Sequence, residues 1–376
     1  MSIHPAVRLT QDLVRVDTVN PPGREEACAR LLADRLERSG FEIELSSIAP
    51  GRPNLVARLR GASQKPALCF SGHLDTVPLG AEAWTWPPLG GDIHDGRVWG
   101  RGTTDMKAGV AAFVVAAEAY ADCKQRPADI VLMLSASEET GCQGAAAIAA
   151  DRAKYGKIGA FVVAEPTANG VVHGHKGAVW AQLSAKGKTA HGSRPDLGVN
   201  AIYKLADAVS ALRAFKFSED LHPLLGLPSL NVGTITGGQN VNSVPDTASL
   251  MLDLRTVWPG STDRILKQIA SAVGPDIEIA LQLSVPSLAT DTGDPWVKRV
   301  EQLVQSVTGE IQKPSAATFF TDGPILREAF NLPPTLLLGP GEPSLAHQTD
   351  ESCRLDRIEA ACEMYKLIIE DWLRAA

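Results

Sequence analysis

ALCFSGHLDTVP, residues 67–78, runs from an apolar stretch into a polar tail. A short apolar run that ends this way predicts a strand buried on both faces. The same signature recurs downstream in IVLMLSA (130–136) and AFVVAEP (160–166). Between the first two lies KAGVAAFVVAAEAYA (107–121), apolar on nearly every side and therefore read as a buried helix. Upstream, REEACARLLADRLERS carries apolar positions at helical spacing and stops before Gly40. Helical stretches alternating with buried strands indicate an α/β sheet with helices on both faces.

The pattern changes near residue 178. AVWAQLSAKGK (178–188) alternates apolar and polar residues, as a half-exposed strand does. NAIYKLADAVSALRAF (200–215) is an amphipathic helix, LNVGTIT (230–236) and TASLMLDLRT (247–256) are strands, DRILKQIASAV (263–273) is a helix and IEIALQL (277–283) a last strand. The order β-α-β-β-α-β is that of a small open-faced, ferredoxin-like sheet. Residues 178–286 are therefore read as an inserted domain. Residues 1–177 and 287–376, which close with a long helix near 356–374, form the other. A chain of 376 residues is too long for one typical core, which agrees with two domains.

Composition excludes several classes. The net charge of −7 argues against a general nucleic-acid binder. No apolar run approaches the length needed to span a membrane, and the first residues lack a secretory pattern, so a cytoplasmic enzyme is expected. The six cysteines are scattered without a CxxC pair and read as thiols rather than a disulfide frame.

Five segments carry the chemistry: SGHLDTVP (71–78), GRGTTDMKAG (100–109), SASEETG (135–141), VVAEPT (162–167) and AHQTDE (346–351). The first four fall at strand ends, where open α/β sheets bind ligands. His73 and Asp75 lie two apart, on one side of a strand, and a carboxylate beside a histidine makes it a better metal ligand. A polar loop after a strand reads equally well. Asp105 is either a ligand or the N-cap of the following helix. Glu138 and Glu139 are adjacent, so one can hold a cation while the other faces water. Without cations they would repel each other and raise a pKa. Glu165 alone is an ordinary strand-end carboxylate, and His347 alone an ordinary loop histidine. Asp350 and Glu351 are partners behind the site or surface charge. Together, two histidines and three carboxylates suit a pair of cations such as Zn²⁺, Co²⁺ or Mn²⁺.

These segments, in this order, resemble the family of acetylornithine deacetylase, succinyl-diaminopimelate desuccinylase, aminoacylase and glutamate carboxypeptidase, over nearly the whole chain. The resemblance implies an α/β mixed-sheet catalytic domain and a ferredoxin-like lid that is also the dimerisation domain. It implies two divalent metal ions per subunit: His73, Asp105 and Glu165 on one, Asp105, Glu139 and His347 on the other. Glu138 becomes the general base, and Asp75 orients His73. KGKTAHGSRPDLGVNAI (186–202) matches the segment whose histidine reaches the partner subunit's site, which gives His191 that role. GGQNVNSVPDTASLMLDLRT (237–256) makes Asn240 and Arg255 candidate substrate contacts.

Before the last ligand the chain reads ATFFTDGPIL (317–326), where the deacetylases carry small residues. Thr321, Asp322 and Gly323 keep the family pattern, and Thr321 and Gly323 are candidate substrate contacts. Phe319 and Phe320 are bulky. They either line the pocket and favour an apolar or aromatic group, or pack beneath the loop. The leading expectation is an N-acyl amino acid deacylase acting on a small molecule. The alternatives are a dipeptidase or carboxypeptidase, a hydrolase of an unusual aromatic amide or aryl amine, and an inactive binding paralogue.

Overall fold

The computed structural model describes residues 3–62, 65–123 and 126–374. The chain packs as two units. The first takes the chain up to Gly174, then Thr290–Ser315 and everything from Thr321; the second is His175–Ala289 with Ala316–Phe320.

The first unit is built on a six-stranded sheet. Its strands are β1 (Glu42–Ala49), β2 (Arg52–Leu59), β3 (Lys65–His73), β6 (Ala128–Ser135), β7 (Ile158–Val163) and β12 (Thr335–Leu337), in the spatial order β1-β2-β6-β3-β7-β12. Strands β6, β3, β7 and β12 are mutually parallel, while β1 and β2 add an antiparallel edge. The sheet is therefore mixed. Every residue of β6 is buried, which requires cover on both faces.

One face is covered by α1 (Pro5–Val14), α2 (Glu26–Arg38), α3 (Ala108–Glu118), α7 (Pro295–Thr308) and α9 (Leu355–Arg374), which share one core. Helices α4 (Gln143–Ala150) and α8 (Gly323–Ala329) pack together; α4 lies on β1, β2 and β6, and α8 on β7. From Ala108 to Ala117 every residue of α3 is buried, as its unbroken apolar sequence demands. A small antiparallel sheet, β13 (Ser352–Arg354) against β5 (Arg97–Trp99) against β4 (Asp92–His94), ties the loop carrying His347 to the one carrying Asp105.

Register brings the strand ends together. His73 pairs with Ser135 across β3 and β6, and Ser71 with Val163 across β3 and β7. His73, the Glu138–Glu139 pair and Glu165 thus leave the same edge of three adjacent parallel strands.

The second unit has the order β8 (Gly177–Lys186), α5 (Ala201–Ala214), β9 (Ser229–Gly237), β10 (Thr247–Thr256), α6 (Thr262–Val273), β11 (Ile277–Val285), with its strands side by side as β9-β10-β8-β11, all antiparallel. This is the expected ferredoxin-like arrangement. Alternate residues of β10 are buried against α5 and α6. Asn200 caps α5 by accepting from the backbone N–H groups of Ile202 and Tyr203.

The sequence reading starts this insert at 178 and keeps Phe319 and Phe320 with the catalytic part. In the structure Phe320 stands edge-on to Trp180 of β8 at 6.3 Å, and Ala317 bridges to His175. Aromatic packing and a backbone bridge thus draw five residues, Ala316–Phe320, into the second unit. Among the described residues no helix is long and apolar enough to cross a membrane.

Candidate metal centre

His73 closes β3 and is 1% exposed. Its Nδ1 lies 2.9 Å from the backbone oxygen of Asp75, and Nε2 lies 3.1 Å from Asp105 Oδ1. The contact to the carbonyl places a proton on Nδ1; Nε2 donates to Asp105 when the ring is cationic and is the atom free to hold a metal when it is neutral. On the far side of Asp105, His347 Nε2 lies 3.3 Å from Oδ2 and 3.2 Å from Glu139 Oε2. Asp105 thus stands between two imidazoles. Donor atoms of His73, Asp105 and Glu139 all fall within 4.8 Å of one another.

Asp105 does not cap the following helix. That helix begins at Ala108, and the Asp105 carboxylate is turned to the histidines. Glu165 is 3% exposed two residues past β7, and its charge is felt by His73 and Glu138. Glu138, 5% exposed, lies beside Glu139 at the end of β6.

Asp75 meets His73 through its main chain and has a further duty for its carboxylate. His73 is held by the Asp75 main chain, while the carboxylate sits 3.6 Å from Nδ1. That carboxylate accepts from Asn20 Nδ2 at 2.8 Å and from the backbone N–H groups of Glu138 and Glu139 at 3.0 and 3.3 Å. It fixes the turn that presents the acid pair.

Electrostatics identify what the cluster is built for. Burial raises the carboxyls of Glu138, Glu139 and Glu165, and repulsion from neighbouring carboxylates adds to it, from Asp105 on Glu139 and Glu165 and from Glu165 and Glu139 on Glu138. Burial would also raise Asp105, but hydrogen bonds from His347 and His73 hold it well below the usual carboxylate range. The hydrogen bonds that His347 donates to Asp105 and Glu139 push its own pKa up to about 10. Glu139 Oε1 is buried with no hydrogen-bond partner among the described residues. Clustered buried carboxylates, an orphaned oxygen and two imidazoles fit a pair of divalent cations, which would relieve the repulsion and use the free lone pairs.

Two supports are not identified by the local sequence. Glu351, 0% exposed, accepts from Arg101 Nη1 (2.7 Å), Gly102 N (3.0 Å), Thr104 N (2.8 Å) and Asp105 N (3.0 Å). Read from sequence, Glu351 is either a partner behind the site or surface charge; the fold makes it the anchor of the Asp105 loop. Asp350 accepts from the backbone and hydroxyl of Thr85. The second support is Cys142, whose Sγ lies 3.8 Å from Glu138 Oε1.

The other candidates fall elsewhere. Thr321 is buried, and its Oγ1 accepts from Gly323 N, so these two shape the start of α8. In the second unit His191 is exposed with Nδ1 2.7 Å from Ser193 Oγ, and Asn240 is exposed. The Arg255 guanidinium is paired with Asp253, at 3.0 Å. Its fork is therefore already occupied within the strand. Phe319 and Phe320 are half-buried.

The model of peptidase family M20/M25/M40 matches residues 69–371. The chain is 30% identical over 403 residues to a Staphylococcus epidermidis protein named "Probable succinyl-diaminopimelate desuccinylase", covering 98% of this chain and 97% of that one. It is 29% identical over 377 residues to the acetylornithine deacetylase of Vibrio atlanticus, covering 97% and 96%. Among solved structures, an M20 family metallo-carboxypeptidase from Sulfolobus solfataricus superposes with a TM-score of 0.82 at 18% identity, over 99% of this chain and all of that one. A dinuclear metal binding M20 peptidase from Bacillus subtilis gives 0.74 at 13%, over 99% and 98%. The match runs through both units and through every segment that supplies the histidine–carboxylate cluster: the chain belongs to peptidase family M20/M25/M40 and is a metal-dependent hydrolase of C–N bonds.

Proposed function

We propose that the protein is an N-acyl amino acid deacylase that holds two divalent cations. His73, Asp105 and Glu165 serve one, and Asp105, Glu139 and His347 the other. The observation that carries the reading is Asp105 lying between His73 and His347 with Glu139 on the same side. The donor set is imidazole and carboxylate, which suits Zn²⁺ first and Co²⁺ or Mn²⁺ after it. Bound there, such cations polarise an amide carbonyl and acidify a water. The full-length relatives named for desuccinylation and deacetylation favour an acyl group on an amino acid over a peptide.

The chain's own residues then divide the work. Glu138 takes a proton from the attacking water as its oxygen adds to the amide carbon. When the C–N bond breaks, Glu138 passes that proton to the leaving nitrogen. Asp75 fixes Glu138 through the backbone N–H it accepts. His191 of a second copy donates to the carbonyl oxygen as charge develops on it. A homodimer through the second unit is supported by an open edge. β9 pairs on one side only, Ile235 on it is exposed, and so are Leu197, Ile202, Tyr203 and Val241 of the same unit. Asn240, Thr321, Gly323, Phe319 and Phe320 are the candidate substrate contacts, with the two phenylalanines favouring an aromatic or apolar group. Arg255 would have to leave Asp253 to meet a substrate carboxylate.

The deciding experiment presents metal-loaded protein with N-acetyl, N-formyl, N-succinyl and aromatic N-acyl amino acids and with dipeptides. Turnover of one acylated class, lost on chelation and restored by Zn²⁺, Co²⁺ or Mn²⁺, is expected. Preference for dipeptides would make the protein a peptidase, and no turnover of any substrate would favour a binding paralogue.

The dimer carries its own prediction. His191→Ala lowers kcat by roughly 10²-fold or more, the worth of one oxyanion donor, and leaves the bound metal unchanged. Mixed with a Glu138→Ala chain and allowed to exchange, it recovers about a quarter of wild-type activity. Half the dimers are then mixed, and each mixed dimer has one complete site. Exchange without recovery removes the action in trans.

A further inference from the structure

Behind Glu138 lies a set of buried polar groups that the proposed chemistry does not use. Ser135, the last residue of β6, is 1% exposed and donates its hydroxyl proton to Asp322 Oδ2. Asp322 is 2% exposed and directly precedes α8. A carboxylate at that position ordinarily caps the helix, but this one makes no capping hydrogen bond. Its other oxygen, Oδ1, is buried with no hydrogen-bond partner among the described residues.

Facing it is Cys142, fully buried and held at φ 57°, a left-handed backbone that a residue with a side chain adopts at a cost. The turn is closed by its backbone N–H donating to Glu138 O at 3.1 Å. Its thiol donates to Glu138 Oε1, and among the described residues this is the one hydrogen bond made to the Glu138 carboxylate. An oxygen of Glu138, an oxygen of Asp322 and the sulfur of Cys142 all lie within 4.8 Å of one another. A cation held here would occupy the carboxylate that the proposed chemistry needs as its base, so the three are read as a support for Glu138. They make a bracket.

We propose that Asp322, braced by Ser135, is a positioning residue that fixes the Cys142 thiol and through it the Glu138 carboxylate in the orientation for proton transfer. The proposal rests on Glu138 being the base. A glutamate has three side-chain torsions to hold, and a misplacement of about 1 Å at a reacting group costs up to roughly 10²-fold in rate. Cys142 alone is a weak tether, since a thiol is a poor donor. An oxygen of Asp322 lies within 4.8 Å of the sulfur and interacts with it, a second contact that restrains the thiol.

The test uses the metal-loaded enzyme and its best substrate. Asp322→Ala is expected to lower kcat by roughly 10²-fold with KM changed less than about twofold and bound metal unchanged. Asp322→Asn keeps the shape and the acceptor for Ser135 and is expected to stay within about fivefold of wild type. Ser135→Ala, which removes only the brace, should cost roughly tenfold, and it serves where Asp322→Ala fails to fold. In a Glu138→Gln background Asp322→Ala should add nothing, because the group it positions is gone. Unchanged kcat in Asp322→Ala or Ser135→Ala, an equal loss in Ala and Asn, a loss that follows metal content or KM, or full multiplication with Glu138→Gln each overturns the proposal. Full activity in Glu138→Gln alone would instead overturn the base assignment, so the two failures are told apart.

Discussion

Glu138→Gln lowers kcat by roughly 10²–10⁴-fold, the range a positioned general acid–base supplies, while the metal content stays at that of the wild type. The amide keeps the size of the side chain and its contact with Cys142 but has no lone pair basic enough to take a proton from water. Glu138 is not one of the residues that meet His73, Asp105 or His347, so its loss leaves that cluster whole. Steady-state kinetics with metal analysis of the same sample reads the result. Retained activity removes the base, and lost metal makes Glu138 a ligand.

Glu351→Ala is expected to destabilise the protein by about 3–5 kcal/mol, because it leaves the Arg101 guanidinium charged in a site where it is 2% exposed. Three backbone N–H groups lose their acceptor at the same stroke. One of them belongs to Asp105, so metal affinity falls as well, by roughly 10–100-fold. Glu351→Gln is expected to be nearly as harmful. All four of these contacts are donors, and the amide NH₂ would point a donor at donors. Arg101→Met combined with Glu351→Gln should recover part of the stability, since the buried charge is gone. Urea unfolding with and without added Zn²⁺ separates the two effects. If Glu351→Ala unfolds like the wild type, the anchor carries no weight.

These two glutamates differ in how far they could be read before folding. Glu138 follows the apolar run IVLML (130–134) and stands beside a second carboxylate, a local pattern that implies a buried strand end. Glu351 lies in a loop rich in Gly and Pro, and its partners Arg101–Asp105 are 246 to 250 residues away. Nothing in the local pattern distinguishes it from surface charge. Asp75 is an intermediate case. Its spacing from His73 correctly places the two together, yet the carboxylate serves Asn20 and the Glu138–Glu139 turn, which only the packing of three strands brings near.

By itself the sequence determined the α/β class, the β-α-β-β-α-β order of the second unit and the histidine- and carboxylate-bearing strand ends. These depend on periods of 2 and 3.6 residues and on turn chemistry, which are short-range. Tertiary structure alone decided the order of the six strands, the antiparallel edge of β1 and β2, and the placement of Asp105 between two histidines that lie 274 residues apart in the sequence, 73 and 347. It also decided which acids are buried: Glu351 on Arg101, and Asp322 on Ser135. Burial of a charge depends on what the rest of the chain packs around it, and no local window contains that.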